Sequence, residues 1–415
     1  MEGQKTHRGY DSTKARPLRG RVAWIFCCVL VYVCWLTPLS GAEPAEQLAF
    51  DSSVRDFDLG QWARAAQSLA EFEAKFPQSP LLRDAVRLRQ FAQAELAFWL
   101  SDWTNSATAF ADFIKANPEA PRSGIAAVRE AQARLNLGDR AGALRVLEEP
   151  DGPFAKRLAA GIEPGVLFSG LIVKAEALRA ESKWTEATAV LNQAAPFAKT
   201  PAEIAARWQL LAVVEEGAGH WEAAAQAAEA WGQTLGEEGS VERRAEAAAL
   251  AGRMWTRAGK PDEARAAFTR NLADRVPVAR QLEAALALAD ASLARDDLAS
   301  ARGTLQAYLT GHPADPGNAA VRLRLGQTLF RQFVALGGLT NSAPDALALL
   351  ALASAQFADG LTNAPPPEIA GPLNLGRGWS TWYEALAANN TDRFRDSGTN
   401  FAMAATLLPR SAEQA

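Results

Sequence analysis

The chain has 415 residues, of which 48% are hydrophobic, and a formal net charge of −4 at neutral pH. This apolar content excludes an intrinsically disordered chain, and the strong helix formers Ala, Leu, Arg, Glu and Gln dominate the composition. This net negative charge argues against a nucleic-acid-binding protein, in which an excess of basic residues is expected. All three cysteines lie between residues 27 and 34, which excludes disulfides and cysteine metal ligands from the rest of the chain.

Residues 1–42 are predicted to be a targeting segment. Six basic side chains precede an uninterrupted apolar run over 22–36, and Ser40 and Ala42 are the small residues of a signal-peptidase site. The run is shorter than the roughly 17–25 residues of a spanning helix, which favours cleavage after Ala42. The long basic region leaves an uncleaved membrane anchor as the alternative. Cleavage predicts an exported, periplasmic protein with 37 basic and 45 acidic groups, a net charge of −8.

A hexapeptide repeats along the rest of the chain. It carries a small or turn-forming residue at position one, usually a bulky residue at position three, and a small residue at position six. The copies occupy 60–65, 101–106, 138–143, 182–187, 219–224, 259–264, 296–301 and 392–397. Successive copies start 37 to 44 residues apart, except for a last gap of 96 residues that should contain one degenerate copy. Such a period is typical of solenoids and other repeat architectures.

Each period is predicted to form a helical hairpin. Apolar residues recur at i, i+3, i+4 and i+7 between the hexapeptides, for example at Leu81, Ala85 and Leu88. Position one ends the first helix or caps the second. The aromatic residue at position three fills the gap at the turn, and the small residue at position six allows the two helices to approach closely. A single hairpin cannot bury its apolar face, so the hairpins must stack.

We count nine helix pairs, the eighth with a degenerate joint. The pairs are predicted at 44–75, 80–116, 121–149, 165–196, 200–235, 239–274, 277–311, 315–358 and 372–408. The exported chain is thus organised as pairs 1–3 over 43–149, a linker over 150–164, pairs 4–8 over 165–358, a proline-rich linker over 359–371 and a terminal pair over 372–415. Each linker is a hinge, a loop that contacts a partner, or a tolerated insertion.

The hexapeptides resemble the helix-turn-helix joint of tetratricopeptide repeats (TPRs), which carry a glycine, an aromatic and a small residue in the same order. Segments 70–80 and 110–121 resemble the longer-period repeats of bacterial cell-envelope proteins, such as the barrel-assembly lipoprotein and the Tol–Pal-associated coordinator. The period here exceeds the usual repeat of about 34 residues, and no lipidation cysteine is present. The resemblance covers roughly residues 45–408. It implies an all-α, right-handed solenoid of about nine stacked antiparallel helix pairs, whose first helices line a concave groove for a protein or an extended peptide.

The sequence lacks the motifs of the common enzyme classes. It contains neither a Gly-x-Ser-x-Gly elbow nor a phosphate-binding glycine loop. His220 and His312 lie in different hairpins, which argues against a histidine metal site. The glycine-rich segment 375–378 follows no predicted strand and is interpreted as an ordinary loop or helix start. The chain is therefore predicted to be no enzyme and to use no cofactor and no metal.

Most tryptophans of the exported chain are predicted to be core residues. Those at position three are Trp62, Trp103, Trp184 and Trp221, and those on apolar helix faces are Trp99, Trp208, Trp231 and Trp255. Trp379, Trp382 and Tyr383 lie at i, i+3 and i+4 of the last first helix. They form a core-like stripe, but terminal repeats need a polar cap. An exposed aromatic patch for a partner or for self-association is the alternative.

Two groups of side chains are candidates for partner binding. Arg83, Arg87 and Arg89, with Arg322 and Arg324, add positive charge to first helices, and the resemblance places those helices on the concave face. The candidate partner-binding residues are Arg83, Arg87, Arg322, Arg324, Trp379, Trp382 and Tyr383. The leading hypothesis is a non-enzymatic, exported scaffold for protein–protein interaction in the cell envelope. The alternative is a carbohydrate- or small-ligand-binding module that assists a separate envelope enzyme.

Overall fold

The computed structural model describes residues 45–236, 239–340 and 344–408. The predicted targeting segment 1–42 lies outside the described residues, as does the end of the chain after residue 408. Within the described ranges all regular secondary structure is helical. None of the helices there has both the length and the apolar character needed to cross a membrane.

Nineteen α-helices are present in the described ranges, and eighteen of them form nine consecutive pairs. The first helices are α1 Ala45–Asp58, α3 Leu82–Trp99, α5 Ser123–Asn136, α8 Pro164–Ala180, α10 Pro201–Ala218, α12 Val241–Arg257, α14 Val278–Ala294, α16 Asn318–Ala335 and α18 Pro367–Ala388. The second helices are α2 Trp62–Lys75, α4 Trp103–Ala116, α6 Arg140–Glu148, α9 Trp184–Ala194, α11 Trp221–Thr234, α13 Pro261–Thr269, α15 Leu298–Gly311, α17 Pro344–Gly360 and α19 Thr391–Leu407. The remaining helix is α7 Pro153–Ala160. The prediction of an all-α solenoid of nine helix pairs is confirmed.

The first seven hexapeptides form the joints between paired helices. Position one has a positive φ in every one of them, with values between 57° and 81°, at Gly60, Ser101, Gly138, Ser182, Gly219, Gly259 and Asp296. This left-handed conformation ends the first helix, and the second helix begins at position three. At three joints an aspartate at position two caps the second helix, and its carboxylate accepts a hydrogen bond from a backbone N–H three residues later.

Position six is buried at all eight hexapeptides. Its residues are at most 4% exposed, namely Ala65, Ser106, Ala143, Ala187, Ala224, Ala264, Ala301 and Ser397. A small side chain there lets the second helix approach its neighbours closely. The predicted role of position six is confirmed.

The eighth hexapeptide, 392–397, does not form its joint where the sequence pattern predicted. The left-handed residue is Asn389, with a φ of 48°, and α19 already begins at Thr391. Asn390 caps this helix, since its side-chain oxygen accepts hydrogen bonds from the backbone N–H groups two and three residues later. Asn tolerates the left-handed conformation better than most residues, so the pair Asn389-Asn390 replaces the glycine and the cap.

The segment 150–164, predicted as a linker, contains α7. Phe154 of this helix is fully buried against α8, where a Cβ on Gly170 would lie 2.1 Å from its ring. The Arg157 guanidinium donates 3.0 Å hydrogen bonds to the carbonyl oxygens of Ala120 and Pro121. This segment is therefore packed onto the third and fourth pairs. In the second predicted linker, 359–371, α17 ends at Gly360 and α18 begins at Pro367.

The first helices lie along the inner side of the array. They contact one another in seven of the eight neighbouring pairs, namely α1 with α3, α3 with α5, α5 with α8, α8 with α10, α12 with α14, α14 with α16 and α16 with α18. Within the described ranges, second helices of neighbouring pairs make no contacts of comparable extent. An array whose first helices lie closer together than its second helices curves with the first helices inside.

The tryptophans divide between core and surface. Trp231 and Trp255 are 1% and 6% exposed, and the joint tryptophans are half-buried. Trp99 is 69% exposed, so its assignment to the core was wrong. It is the last residue of α3, and the preceding residue, Phe98, makes the edge-to-face contact with Trp103 instead, at 5.2 Å between ring centres.

Candidate functional site

A groove of about 670 Å³ crosses the inner side of the array near its C-terminal end. Three first helices, α14, α16 and α18, form its walls, and α17 contributes one residue to its floor. The lining residues are Asp290, Leu293, Ala294, Arg324, Gln327, Phe330, Arg331, Phe357, Pro372, Leu375, Gly376 and Trp379. We call this site the three-helix groove.

The floor of the groove depends on Phe357 and two glycines. Phe357 is 1% exposed, and its ring lies between α16 and α18. A Cβ on Gly326 or on Gly376 would lie 2.5 Å from this ring, closer than real Cβ contacts allow. The absence of a side chain at these two positions therefore lets the phenyl ring reach the groove from the helix behind it.

The groove combines exposed apolar surface with positive charge. Leu375 and Trp379 on α18 are 37% and 46% exposed. On the facing helix α16, Arg324 makes a 3.0 Å ion pair with Asp290 of α14. Arg331, further along the same helix, is exposed and has no ion pair with any residue in the described ranges. A segment that lies in this groove meets an apolar wall on one side and a free guanidinium on the other.

The structure brings together two of the seven predicted binding residues, Arg324 and Trp379, which were predicted on separate grounds. Arg322 lies elsewhere, because two residues along a helix correspond to about 200° of rotation. Its guanidinium donates 2.9 Å hydrogen bonds to Gln356 and Asp359 of α17, which is the partner of α16 in its own pair.

The two arginines predicted on α3 lie far along the array from the groove. Arg83 is exposed. Arg87 makes a 2.7 Å ion pair with Asp84 of the same helix. Arg89, predicted to add to this charge, pairs with Glu73 of α2 at 2.6 Å. Two of these three guanidinium groups are thus engaged within the second repeat and its neighbour.

The terminal aromatic stripe is divided between three surroundings. Tyr383 packs inside the array, with its ring centre 5.7 Å from that of Phe330 and 5.5 Å from that of Phe333. Trp379 lies in the groove and also contacts Phe401 of α19 edge-on, at 5.2 Å. Trp382 contacts the last second helix in the same way and remains 40% exposed.

Sequence reasoning missed most of the groove lining, including Asp290, Leu293, Phe330 and Arg331. The signal that could have revealed the site was the glycines. The segment 375–378, interpreted from the sequence as a loop or helix start, lies in the middle of α18. Gly378 faces the ring of Phe401, where a Cβ would lie 2.8 Å away. Glycines inside amphipathic helices indicate close approach of another group, and these mark where α18 meets both of its neighbours.

Two ionisable groups outside the groove, His220 and Glu95, are held in structural contacts. Within the described ranges no three His, Cys, Asp or Glu side chains are grouped so that they could hold a metal ion. His220, at the fifth joint, contacts the buried carboxylate of Glu215 through its Nδ1 at 2.8 Å. Burial raises the pKa of Glu95, although Arg129 contacts one of its oxygens at 3.0 Å, since the other oxygen is buried without a partner in the described ranges.

No protein-family model and no curated protein sequence matches the chain. Solved structures are similar to it at low identity. A tetratricopeptide repeat protein from Parabacteroides merdae is 11% identical and has a TM-score of 0.38, over 68% of this chain and 98% of that chain. The C-terminal part of a TPR repeat-containing protein from Cytophaga hutchinsonii is 14% identical, with a TM-score of 0.45, over 66% and 99%. The apo form of RapI is 9% identical, with a TM-score of 0.46, over 88% and 97%.

Proposed function

We propose that the chain is a non-enzymatic scaffold that binds an extended segment of another protein in the three-helix groove. The observation that carries this proposal is the groove itself, which crosses three first helices on the inner side of the array. Exposed Leu375 and Trp379 offer an apolar surface, and exposed aromatic and aliphatic side chains in a concave site are typical binding anchors. The guanidinium of Arg331 favours an acidic residue on the bound segment.

We also propose that the protein works in the cell envelope after export. The basic region, the apolar run 22–36 and the small residues before Glu43 support this setting. N-terminal sequencing of the protein isolated from its own cells tests it. A chain that begins at Glu43 supports export with cleavage, and a membrane-bound chain that retains the run supports the anchored form. A chain recovered intact from the cytosol contradicts both forms.

Cross-linking and recovery from cell-envelope extract test the binding function. The wild-type protein is compared with Leu375→Glu and Arg331→Glu, which place negative charge on either side of the groove. Arg302→Glu, on the second helix α15, is the matched control for Arg331→Glu, because it makes the same charge change outside the groove. We expect both groove variants to lose the partner and the control to retain it.

Two outcomes contradict the proposal. A partner that all four proteins recover equally binds outside the groove. If no partner is recovered even with cross-linking, the scaffold hypothesis fails, and the small-ligand alternative takes its place. Circular dichroism melts of the variants exclude unfolding as the cause of any loss.

A further inference from the structure

At the fourth and fifth joints, the tryptophan at position three fills a space between one helix pair and the next. Trp184 reaches α10 of the following pair, where a Cβ on Gly217 would lie 2.6 Å from its ring. Trp221 reaches α12 in the same way, and the Arg257 guanidinium lies 4.9 Å from its ring centre. In both cases an indole occupies the space beside the C-terminal part of the next first helix.

At the sixth joint this indole is missing. Position three is Pro261, the first residue of α13, and the space beside the C-terminal part of α14 is open. The cavity has a volume of about 750 Å³. Its apolar wall is formed by Pro261, Ala264, Phe268, Leu288, Ala291 and Ala294. We call it the vacant slot, because it lies where Trp184 and Trp221 lie in their own repeats.

The buried core is interrupted at the same place. One large cluster of buried apolar residues runs from Ala127 to Ala267, and the next begins at Ala285 on α14. Between them, Phe268, Ala284 and Leu288 form a small cluster of their own. The proline is tolerated at the first turn of α13, where its missing N–H costs nothing. Its small pyrrolidine ring does not join the two clusters as an indole would.

Four arginines surround the slot, although the chain as a whole is acidic. They are Arg253, Arg257, Arg265 and Arg295, and the only acidic lining residue in the described ranges is Asp290. Asp290 is itself engaged by Arg324 of α16, as described for the groove. Arg253 pairs with Glu283, and Arg257 pairs with Glu216. The excess positive charge at the rim therefore lies on Arg265 and Arg295, which have one carboxylate between them.

Two of these arginines share one carboxylate. Asp262 contacts Arg295 at 2.7 Å and Arg265 at 3.4 Å. Both guanidinium groups are exposed by more than 40%, so each has N–H donors that face solvent at the rim. An arginine fork with free donors is the group that best recognises a carboxylate or a sulfonate.

We propose that the vacant slot binds a small aromatic anion, distinct from the protein segment in the three-helix groove. The flat ring takes the place of the missing indole between α13 and α14. The acidic group is bound by Arg265 and Arg295 at the rim, where charge complementarity selects an anion over a neutral ring. The apolar wall supplies the affinity for the ring, and the arginine pair fixes its orientation.

Fluorescence titration of the purified protein with 8-anilinonaphthalene-1-sulfonate tests this site. We expect saturable binding that Pro261→Trp abolishes, because the introduced indole fills the slot as Trp221 does in its own repeat. Ala291→Phe fills the slot from the opposite wall and is expected to have the same effect. It keeps the test valid if the first variant does not fold, which circular dichroism shows.

The charge requirement is tested separately. Arg295→Gln should weaken the binding by roughly tenfold, the amount expected for loss of one charged hydrogen bond. Arg302→Gln on α15 is the matched control and should leave the binding unchanged, as should Leu375→Ser in the groove. The neutral analogue N-phenyl-1-naphthylamine should bind more weakly than the sulfonate. Binding that both slot-filling variants leave intact, or the lack of any saturable phase, overturns the proposal.

Discussion

The contact between Phe357 and Gly376 predicts that Gly376→Ala has opposite effects on the free energy of unfolding in two proteins. It should destabilise the wild-type protein and stabilise the Phe357→Ala variant. In the wild-type protein, Gly376→Ala places a Cβ 2.5 Å from a ring that is itself 1% exposed and has nowhere to move. Overpacking of this kind costs about 1–3 kcal/mol. The gain in helix propensity from Gly to Ala offsets about 1 kcal/mol of it. The net result is destabilisation by up to about 2 kcal/mol.

The same substitution behaves differently once the ring is removed. Phe357→Ala alone should cost about 3–5 kcal/mol, because it deletes a fully buried phenyl ring and leaves a cavity. In that background the Cβ introduced at position 376 meets no ring, and only the helix-propensity gain of about 0.5–1 kcal/mol remains. Gly376→Ala should therefore stabilise the Phe357→Ala protein. The coupling between the two positions is expected to be about 1–3 kcal/mol.

Urea denaturation followed by circular dichroism measures the four free energies of unfolding. Hydrogen exchange of α16 to α18 localises the effect, since repeat arrays do not always unfold in one step. Gly303→Ala on α15 is the matched control, because a Cβ on this helical glycine meets nothing within 4 Å. It should stabilise both backgrounds equally. If Gly376→Ala destabilises both backgrounds by the same amount, α18 does not pack against Phe357 as described and the floor of the groove is wrong.

Two further predictions concern the repeat and its buried charge. Ala187 is fully buried at position six of the fourth joint, and Ala187→Leu should lower the free energy of unfolding by about 1–3 kcal/mol. Ala189 is exposed on the same helix, and Ala189→Leu should lower it by less than about 0.5 kcal/mol. Urea denaturation measures both. Burial raises the pKa of Glu95 in the folded protein. The folded protein therefore loses stability as the pH rises from acid through that raised pKa and the buried carboxyl ionises. Glu95→Gln should therefore raise the melting temperature, relative to wild type, more at pH 7.5 than at pH 4, and an equal difference at both pH values contradicts this reasoning.

The helix pairs could be predicted from the sequence because the residues that specify each joint are close together in the chain. A left-handed residue, a helix start and a buried small residue occur within six positions, so the pattern at Gly60 or Gly219 already specifies a joint. The last joint was misplaced by three residues because Asn389 took the role of glycine outside the hexapeptide. Helix α7 was missed because the prolines and glycines of 150–164 suggest a loop, although Pro153 is a favourable first residue of a helix.

The groove was harder to predict from the sequence, because it depends on contacts between helices that are distant in the chain. Charge alone could not separate Arg322 from Arg324, since only the neighbours of α16 decide which side each one faces. The aromatic stripe was equally ambiguous. Spacing places Trp379 and Tyr383 on one face of α18, but the ring of Tyr383 is covered by α16 and that of Trp379 is not.

Binding in the three-helix groove can be tested directly by site-specific photocross-linking in the native cells. Benzoylphenylalanine is introduced at Leu375 in the groove and, as a control, at Gln306, which is exposed on the second helix α15. We expect a cross-link from position 375 to one segment of one partner protein, with that product missing from position 306. The same partner cross-linked equally from both positions, or only from position 306, would contradict binding in the three-helix groove.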